Sequence, residues 1–409
     1  MRLNLMLLIC VGVTVSQNVT SYHGFKKYII DHTNENIYKY MIELQMTSTN
    51  IDFWLLSKNQ SIVSVSPEVQ AVFEDRLGAL EAPYDIEPFS DNEGVCESDS
   101  EYRRSTRQTS GFFKRFHRYS GILDYIYAIA ASYPKYVKIE SLGYSNEGRV
   151  IPGISISING NHRERKIAYI QGGAHGREWI CTPTILYTVS EILANIHAFR
   201  SILQNTRLYF VPLVNPDGYE YTHTVDRFWR KNRHRFPGRQ CVGVDINRNF
   251  GLYWGSRGSS NNHCSEIFNG LTPFSEPETQ AVRTFLEKNR SRVKLVLDVH
   301  SFGKFFFYPY GYTKASPPTK HLLHTVAQRA SNAISNYRGT RYTIGSSSNL
   351  LYEASGGLDD WAYGSLGIPL SYTVELPGNG FSVPSHEILH IGRETYAGFI
   401  EFIRHVTLF

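Results

Sequence analysis

The stretch Lys166–Leu186 reads "KIAYIQGGAHGREWICTPTIL". It opens with an apolar run of strand length, passes through a glycine-rich turn and enters a segment with helical spacing that continues as "YTVSEIL". A strand, a turn and a helix in that order form the repeating unit of an α/β fold. His175 and Glu178 lie three residues apart in the turn, where an imidazole and a carboxylate can be aimed at one point. The spacing alone is weak. With 15 histidines and 37 acidic residues in 409, chance supplies roughly 1.4 matches to H-x-x-[DE]. The chain holds four: His32/Glu35, His175/Glu178, His223/Asp226 and His263/Glu266. Of these, His175/Glu178 alone stands directly between an apolar strand and a helix.

Strands and helices keep alternating from about residue 112. "GILDYIYAIAASY", "EPETQAVRTFLEKN" and "HLLHTVAQRASNAI" have helical spacing, and "RLYFVPLVN" and "PLSYTVEL" read as strands. "VKLVLDVHS" (Val293–Ser301) has almost no polar alternation, as expected of a strand buried on both faces. Sites in such sheets form beyond the carboxyl ends of the strands. A catalytic zinc wants three protein ligands and an open position. His300, at the end of its strand, is the expected third. Asp245 in "VDINRNF" is a candidate acceptor for the second N–H of a ligating imidazole. Glu375 ends the run "PLSYTVE" before a Pro-Gly turn, where a carboxylate beside a metal can take a proton and pass it on. Arg230 and Arg248 occupy loops near strand ends, and the guanidinium fork suits capture of a carboxylate.

A chain of this length makes two domains the expectation. The start, "MRLNLMLLICVGVTVSQN", has the pattern of a secretory signal peptide over residues 1–16, and no later stretch approaches about 18 consecutive apolar residues. A secreted protein with no membrane span is expected, in a compartment that permits disulfides. Cys241 and Cys264 bracket one loop-rich segment and are the expected pair. Cys181 reads as a buried thiol, and Cys96 is unassigned. Sequons at Asn18, Asn59 and Asn289 are compatible with export. The net charge of +5 is mild, and the basic loop Arg227–Arg239 is one loop rather than a basic face, so nucleic acid is not the expected partner.

Residues 17–84 carry strand-like "KYMIELQM" and "SIVSVS" and helical "EVQAVFEDRLGAL", enough for a small α+β unit. Residues 85–107 read as an acidic, exposed linker that ends in Arg103, Arg104 and Arg107. The arginines are either a solvated patch or an accessible site for a trypsin-like protease.

"HGREW", "WRKNR", "DINRN", "DVHS" and "SGGLDDW" together resemble the secreted zinc metallocarboxypeptidases of the carboxypeptidase A/B family, in precursor form and nearest the B type. The resemblance implies an α/β catalytic domain at 108–409 with a mixed, largely buried central sheet flanked by helices. A small α+β pro-domain would precede it and inhibit it until cleavage near Arg107. It implies one zinc ion on His175, Glu178 and His300, with Asp245 supporting His175. Glu375 would be the catalytic glutamate, and Arg230 would polarise the scissile carbonyl. Asn247 and Arg248 would bind the terminal carboxylate of a peptide, and Tyr352 would close over it. Arg177, Ser301 and Phe302 would line outer subsites. Asp359 would sit at the base of the side-chain pocket and favour C-terminal Lys or Arg, with Gly311 and Ser347 leaving room. Asp360 would be a framework acid. The family also pairs Cys241 with Cys264, and a monomer is expected. Two departures stand out: a shortened loop "LPGNGF" after Glu375, which leaves Phe381 as the candidate cleft aromatic, and one extra residue between Asp360 and Glu375. The competing readings are the same enzyme class with an apolar preference, a zinc endopeptidase or deacylase, and a non-catalytic peptide-binding relative.

Overall fold

The computed structural model describes residues 19–88, 109–158 and 165–409. The segment read as a signal peptide, the Arg103–Arg107 cluster, Cys96 and Asn18 lie outside the described residues. The N-terminal unit is a four-stranded antiparallel sheet in the order β2-β3-β1-β4, formed by β1 (Lys26–Asp31), β2 (Ile51–Leu56), β3 (Gln60–Val65) and β4 (Tyr84–Pro88). The helices Glu35–Thr47 and Gln70–Ala79 pack on it around Tyr28, Met41, Val63 and Phe73.

Two expectations are corrected here. "KYMIELQM" is not a strand but the body of the helix Glu35–Thr47. Asn34 caps that helix by accepting the N–H groups of Asn36 and Ile37, and Ile37, Met41 and Leu44 face the core at helical spacing. The linker does not begin at residue 85, because Tyr84–Pro88 forms the edge strand β4 against β1. An edge strand shows one side to water, so Asp85 and Glu87 are exposed and the segment reads as solvated chain.

The larger unit is built on an eight-stranded mixed sheet. Its strands are β5 (Val137–Tyr144), β6 (Val150–Ile156), β7 (Lys166–Gly172), β8 (Thr206–Val211), β9 (Val293–Ser301), β10 (Phe305–Tyr308), β11 (Thr343–Ser346) and β12 (Leu370–Leu376). They run in the order β11-β10-β12-β9-β7-β8-β6-β5, and the central four are parallel. Alternation sorts their side chains. Ala168, Ile170, Leu297, Val299, Tyr372 and Val374 join the core beneath the helices Cys181–Ala194, Lys320–Arg338 and Ile388–His405. Ile167, Tyr169 and Val296 join the opposite core, with Val282 and Trp361 of the helices Pro277–Lys288 and Leu358–Gly364. Gln171, Asp298, His300 and Glu375 fall on this second face by the period of two. Polar groups therefore collect at one end of one face of an otherwise apolar sheet.

Candidate active site

Three buried donors converge beyond the carboxyl ends of the parallel strands. His175 and Glu178 come from the turn after β7, and His300 comes from the end of β9. Gly173 lets the turn form, with φ of +67°, and Gly176 lets it close, since a Cβ there would come within 2.6 Å of the Gly218 carbonyl. The Nδ1 atoms of His175 and His300 are 3.2 Å apart. Oε1 of Glu178 lies 2.7 Å from the first and Oε2 lies 3.0 Å from the second. Among the described residues this is the one cluster of histidine, cysteine and acidic side chains with metal-binding spacing. Two imidazole nitrogens and a carboxylate, converging in a buried pocket that opens on a cavity, are the donor set of an open zinc site. The residues fit the ion. The other H-x-x-[DE] histidines serve packing: His223 stacks on Trp179, His263 on Phe268, and His32 meets Ser61 and the Lys58 carbonyl.

Around the cluster, charge is arranged in pairs. Nε2 of His175 is 3.0 Å from Oδ1 of the fully buried Asp245. Oδ2 of Asp245 accepts from Nε and Nη2 of Arg230 at 3.1 and 2.8 Å, and Oδ1 also caps the turn Ile246–Arg248 through the Asn247 N–H. Burial pushes the Asp245 carboxyl up, but Arg230 and His175 outweigh it and hold it well below the usual range. The Glu178 carboxyl is likewise lowered, burial being outweighed by His175 and His300. Glu375 lies directly across from His300 in the parallel register. Burial raises its carboxyl to about 8, and a dication held by the cluster would lower it.

A cavity of about 720 Å³ opens on this cluster. Its lining includes Arg230, Asn247, Arg248, Tyr352 and Glu375 beside the three donors. Ser301, Phe302, Gly311, Ser347, Asp359 and Phe381 complete the wall that matters here. Arg248 is positioned by the carbonyls of Gly258 and Asn247, at 2.8 and 2.9 Å, and its Nη2 donates to the Tyr352 hydroxyl at 3.1 Å. Asp359 is 7% exposed, and burial pushes its carboxyl up to about 6. Among the described residues no lysine or arginine ion-pairs with it. Asp360 turns the other way and accepts the N–H groups of Gly311 and Tyr312 at 2.9 and 3.0 Å.

The N-terminal unit borders the cavity through Asp52, Phe53 and Trp54. Asp52 ion-pairs with Nη1 of Arg177, whose Nη2 donates to the Phe53 carbonyl at 3.3 Å. Trp54 stacks on Phe228 and meets Phe381 edge-on, and Phe381 meets Phe302 in the same way. Arg177, expected to line an outer subsite, is 1% exposed with the N-terminal unit seated over it. Cys241 and Cys264 form a disulfide, and Cys181 is a buried free thiol.

Residues 122–398 match the family described as zinc carboxypeptidase. The chain belongs to that family. This zinc carboxypeptidase is 39% identical to the carboxypeptidase B of Astacus astacus, over 69% of this chain and 94% of that protein. It is 33% identical to the carboxypeptidase B of Helicoverpa zea, over 98% and 97%. The crystal structure of the carboxypeptidase A from Helicoverpa armigera superposes with a TM-score of 0.83 at 29% identity, covering 96% of this chain and 98% of that one. The chain is a metallocarboxypeptidase with a single zinc site, and peptide C-termini are its substrate class. No helix among the described residues is long and apolar enough to cross a membrane.

Three positions escaped the sequence reading. Asp298 carried a signal: a lone acid in an apolar strand, two residues before His300 and so on its face. Arg227 ties the walls together by donating to the Arg177 and Phe381 carbonyls at 3.0 and 2.8 Å, and nothing in "DRFWRKNR" separates it from its basic neighbours. Asp52 lies 125 residues from Arg177, and no local pattern links them.

Proposed function

We propose that the protein is a secreted exopeptidase that removes C-terminal Lys or Arg, made as a precursor held inactive by its N-terminal unit. The observation that carries the specificity is Asp359: a buried carboxylate on the cavity wall without a protein cation. Such a group is costly to leave alone, and a substrate ammonium or guanidinium pairs it.

The chain's own residues divide the chemistry among them. His175, Glu178 and His300 hold the metal, which when bound supplies a Lewis acid that polarises the peptide carbonyl and lowers the pKa of water. A carboxylate oxygen of Glu375 takes the proton of the attacking water and gives it to the departing amine. Arg230, anchored by Asp245, stands where charge develops on the carbonyl oxygen. Arg248 and Asn247 bind the terminal carboxylate, a group that an internal bond lacks. Tyr352 leaves Arg248 to cover the bound chain end, and Ser301 and Phe302 contact residues further along the peptide.

The Asp52–Arg177 pair and the Trp54, Phe228 and Phe381 contacts support the inhibitory role of the N-terminal unit. A trypsin-like cleavage after Arg107 would release it. The test is a set of peptides differing in the C-terminal residue alone, each with an amidated twin, assayed before and after trypsin. The reading requires that Arg and Lys peptides be cleaved, that amidated twins resist, and that activity follow a new N-terminus near Gln108. Cleavage of amidated peptides, or full activity in the intact precursor, would refute it.

A further inference from the structure

Inside the apolar sheet a chain of four polar side chains runs to the metal cluster. The Tyr169 hydroxyl donates to Oε1 of Gln171 at 2.8 Å, and Nε2 of Gln171 donates to Oδ1 of Asp298 at 2.9 Å. Oδ2 of Asp298 has no hydrogen bond of regular geometry and lies 3.0 Å from Nε2 of His300. All four residues are at most 1% exposed. Among the described residues, no lysine or arginine ion-pairs with Asp298. A charged side chain at such a place needs a partner.

The tautomer of His300 supplies the reason. Its Nδ1 faces His175 and Glu178, so a metal held there leaves the proton on Nε2. That N–H needs an acceptor. Asn247 presents Nδ2 to it, at 3.3 Å, and an amide nitrogen accepts nothing. The orientation of Asn247 is set by its Oδ1, which accepts the Leu358 N–H at 3.1 Å. The acceptor that remains is Asp298. The separation equals that at His175, whose Nε2 lies 3.0 Å from Asp245. We infer that Asp298, aimed by Gln171 and Tyr169, is a positioning residue that holds His300 in its metal-binding tautomer, so that each ligating imidazole has its own buried carboxylate.

The inference rests on His300 being a ligand, and the experiment separates the two. Zinc affinity of the full chain is measured by chelator competition for wild type, Asp298→Asn and His300→Ala, and the melting temperature is read with and without zinc. Removal of a carboxylate that supports a ligating histidine costs 10- to 100-fold in metal affinity. Asp298→Asn should weaken zinc binding by about that factor and shrink the rise in melting temperature that zinc produces. A purely structural acid would lower the metal-free and zinc-loaded melting points equally. If Asp298→Asn does not fold, Gln171→Met leaves the carboxylate but removes the bond that aims it, and should weaken zinc in the same direction. Loss of zinc in His300→Ala with unchanged affinity in the folded Asp298 or Gln171 variant overturns the inference. Retention of zinc in His300→Ala overturns the ligand assignment itself.

Discussion

Replacing Asp359 with isoleucine removes the charge from the pocket while keeping a branched side chain of similar reach. The wild-type carboxylate is 7% exposed, lines the cavity and has no lysine or arginine partner among the described residues. A substrate Lys or Arg head that enters therefore completes a desolvated pair. Truncating one member of such a pair costs about 2–5 kcal/mol, or roughly 30- to 4,000-fold at 1.4 kcal/mol per tenfold. An apolar side chain gains from the same change, because burying a Leu or Phe contributes about 1.5–3 kcal/mol where no charge opposes it. The ratio of kcat/KM for Arg over Leu peptides should fall by at least about 100-fold and cross unity, with zinc content unchanged. Gly311 and Ser347 share this cavity wall with Asp359, and neither brings a charge to it. Burial raises the free Asp359 carboxyl to about 6, so the wild-type preference for Arg should also weaken as pH falls through 6. The assay is kcat/KM on matched peptides ending in Arg, Lys, Leu and Phe. The reasoning fails if wild type cleaves Leu and Phe ends as well as Arg, or if the isoleucine variant keeps the basic preference.

Three further outcomes are expected. Glu375→Gln should keep its zinc and lose about 10²- to 10⁴-fold in kcat, since the residue moves a proton and does not ligate; near-normal turnover would reject the role. Asp52→Ala leaves Arg177 buried without its carboxylate, a loss of about 2–5 kcal/mol at the contact, so the uncleaved precursor should gain activity at least tenfold on a gel-verified intact chain. Glu278 tests the pH dependence of stability. Burial, with Glu276 nearby, raises its carboxyl from 4.5 to about 7, so the folded state binds this proton more tightly than the unfolded chain does. Its contribution is complete below about pH 4.5 and is lost as pH rises through 7, by roughly 3 kcal/mol at 1.36 kcal/mol per unit. Glu278→Gln should flatten the fall in melting temperature between pH 5.5 and 8, and parallel curves for the two proteins would contradict the assignment.

Much of the site could be read in advance because its residues end apolar strands. "KIAYIQGGAHGRE", "VKLVLDVHS" and "PLSYTVEL" each carry a chemical group at the carboxyl end, where open α/β sheets form their sites. The stretch "KYMIELQM" reads as a strand because Tyr40, Ile42, Leu44 and Met46 alternate, and the cap that decides for a helix, Asn34, lies outside it. The strand at Tyr84–Pro88 was missed because an exposed edge strand has the composition of a linker.

By itself the sequence determined the four central parallel strands of the larger unit, the turn that aims His175 and Glu178, and the types of group gathered near them. Those depend on periodicity and turn chemistry within a few residues, which neighbours in the chain express directly. Tertiary structure alone decided that Glu375 stands across from His300 and that Arg177 pairs with Asp52 of the N-terminal unit. The pairing of Glu375 with His300 follows from the register of two parallel strands, and that of Arg177 with Asp52 from the seating of one folded unit on another. Contacts of that kind join residues 75 or more positions apart, and no local pattern carries the free energy that selects them.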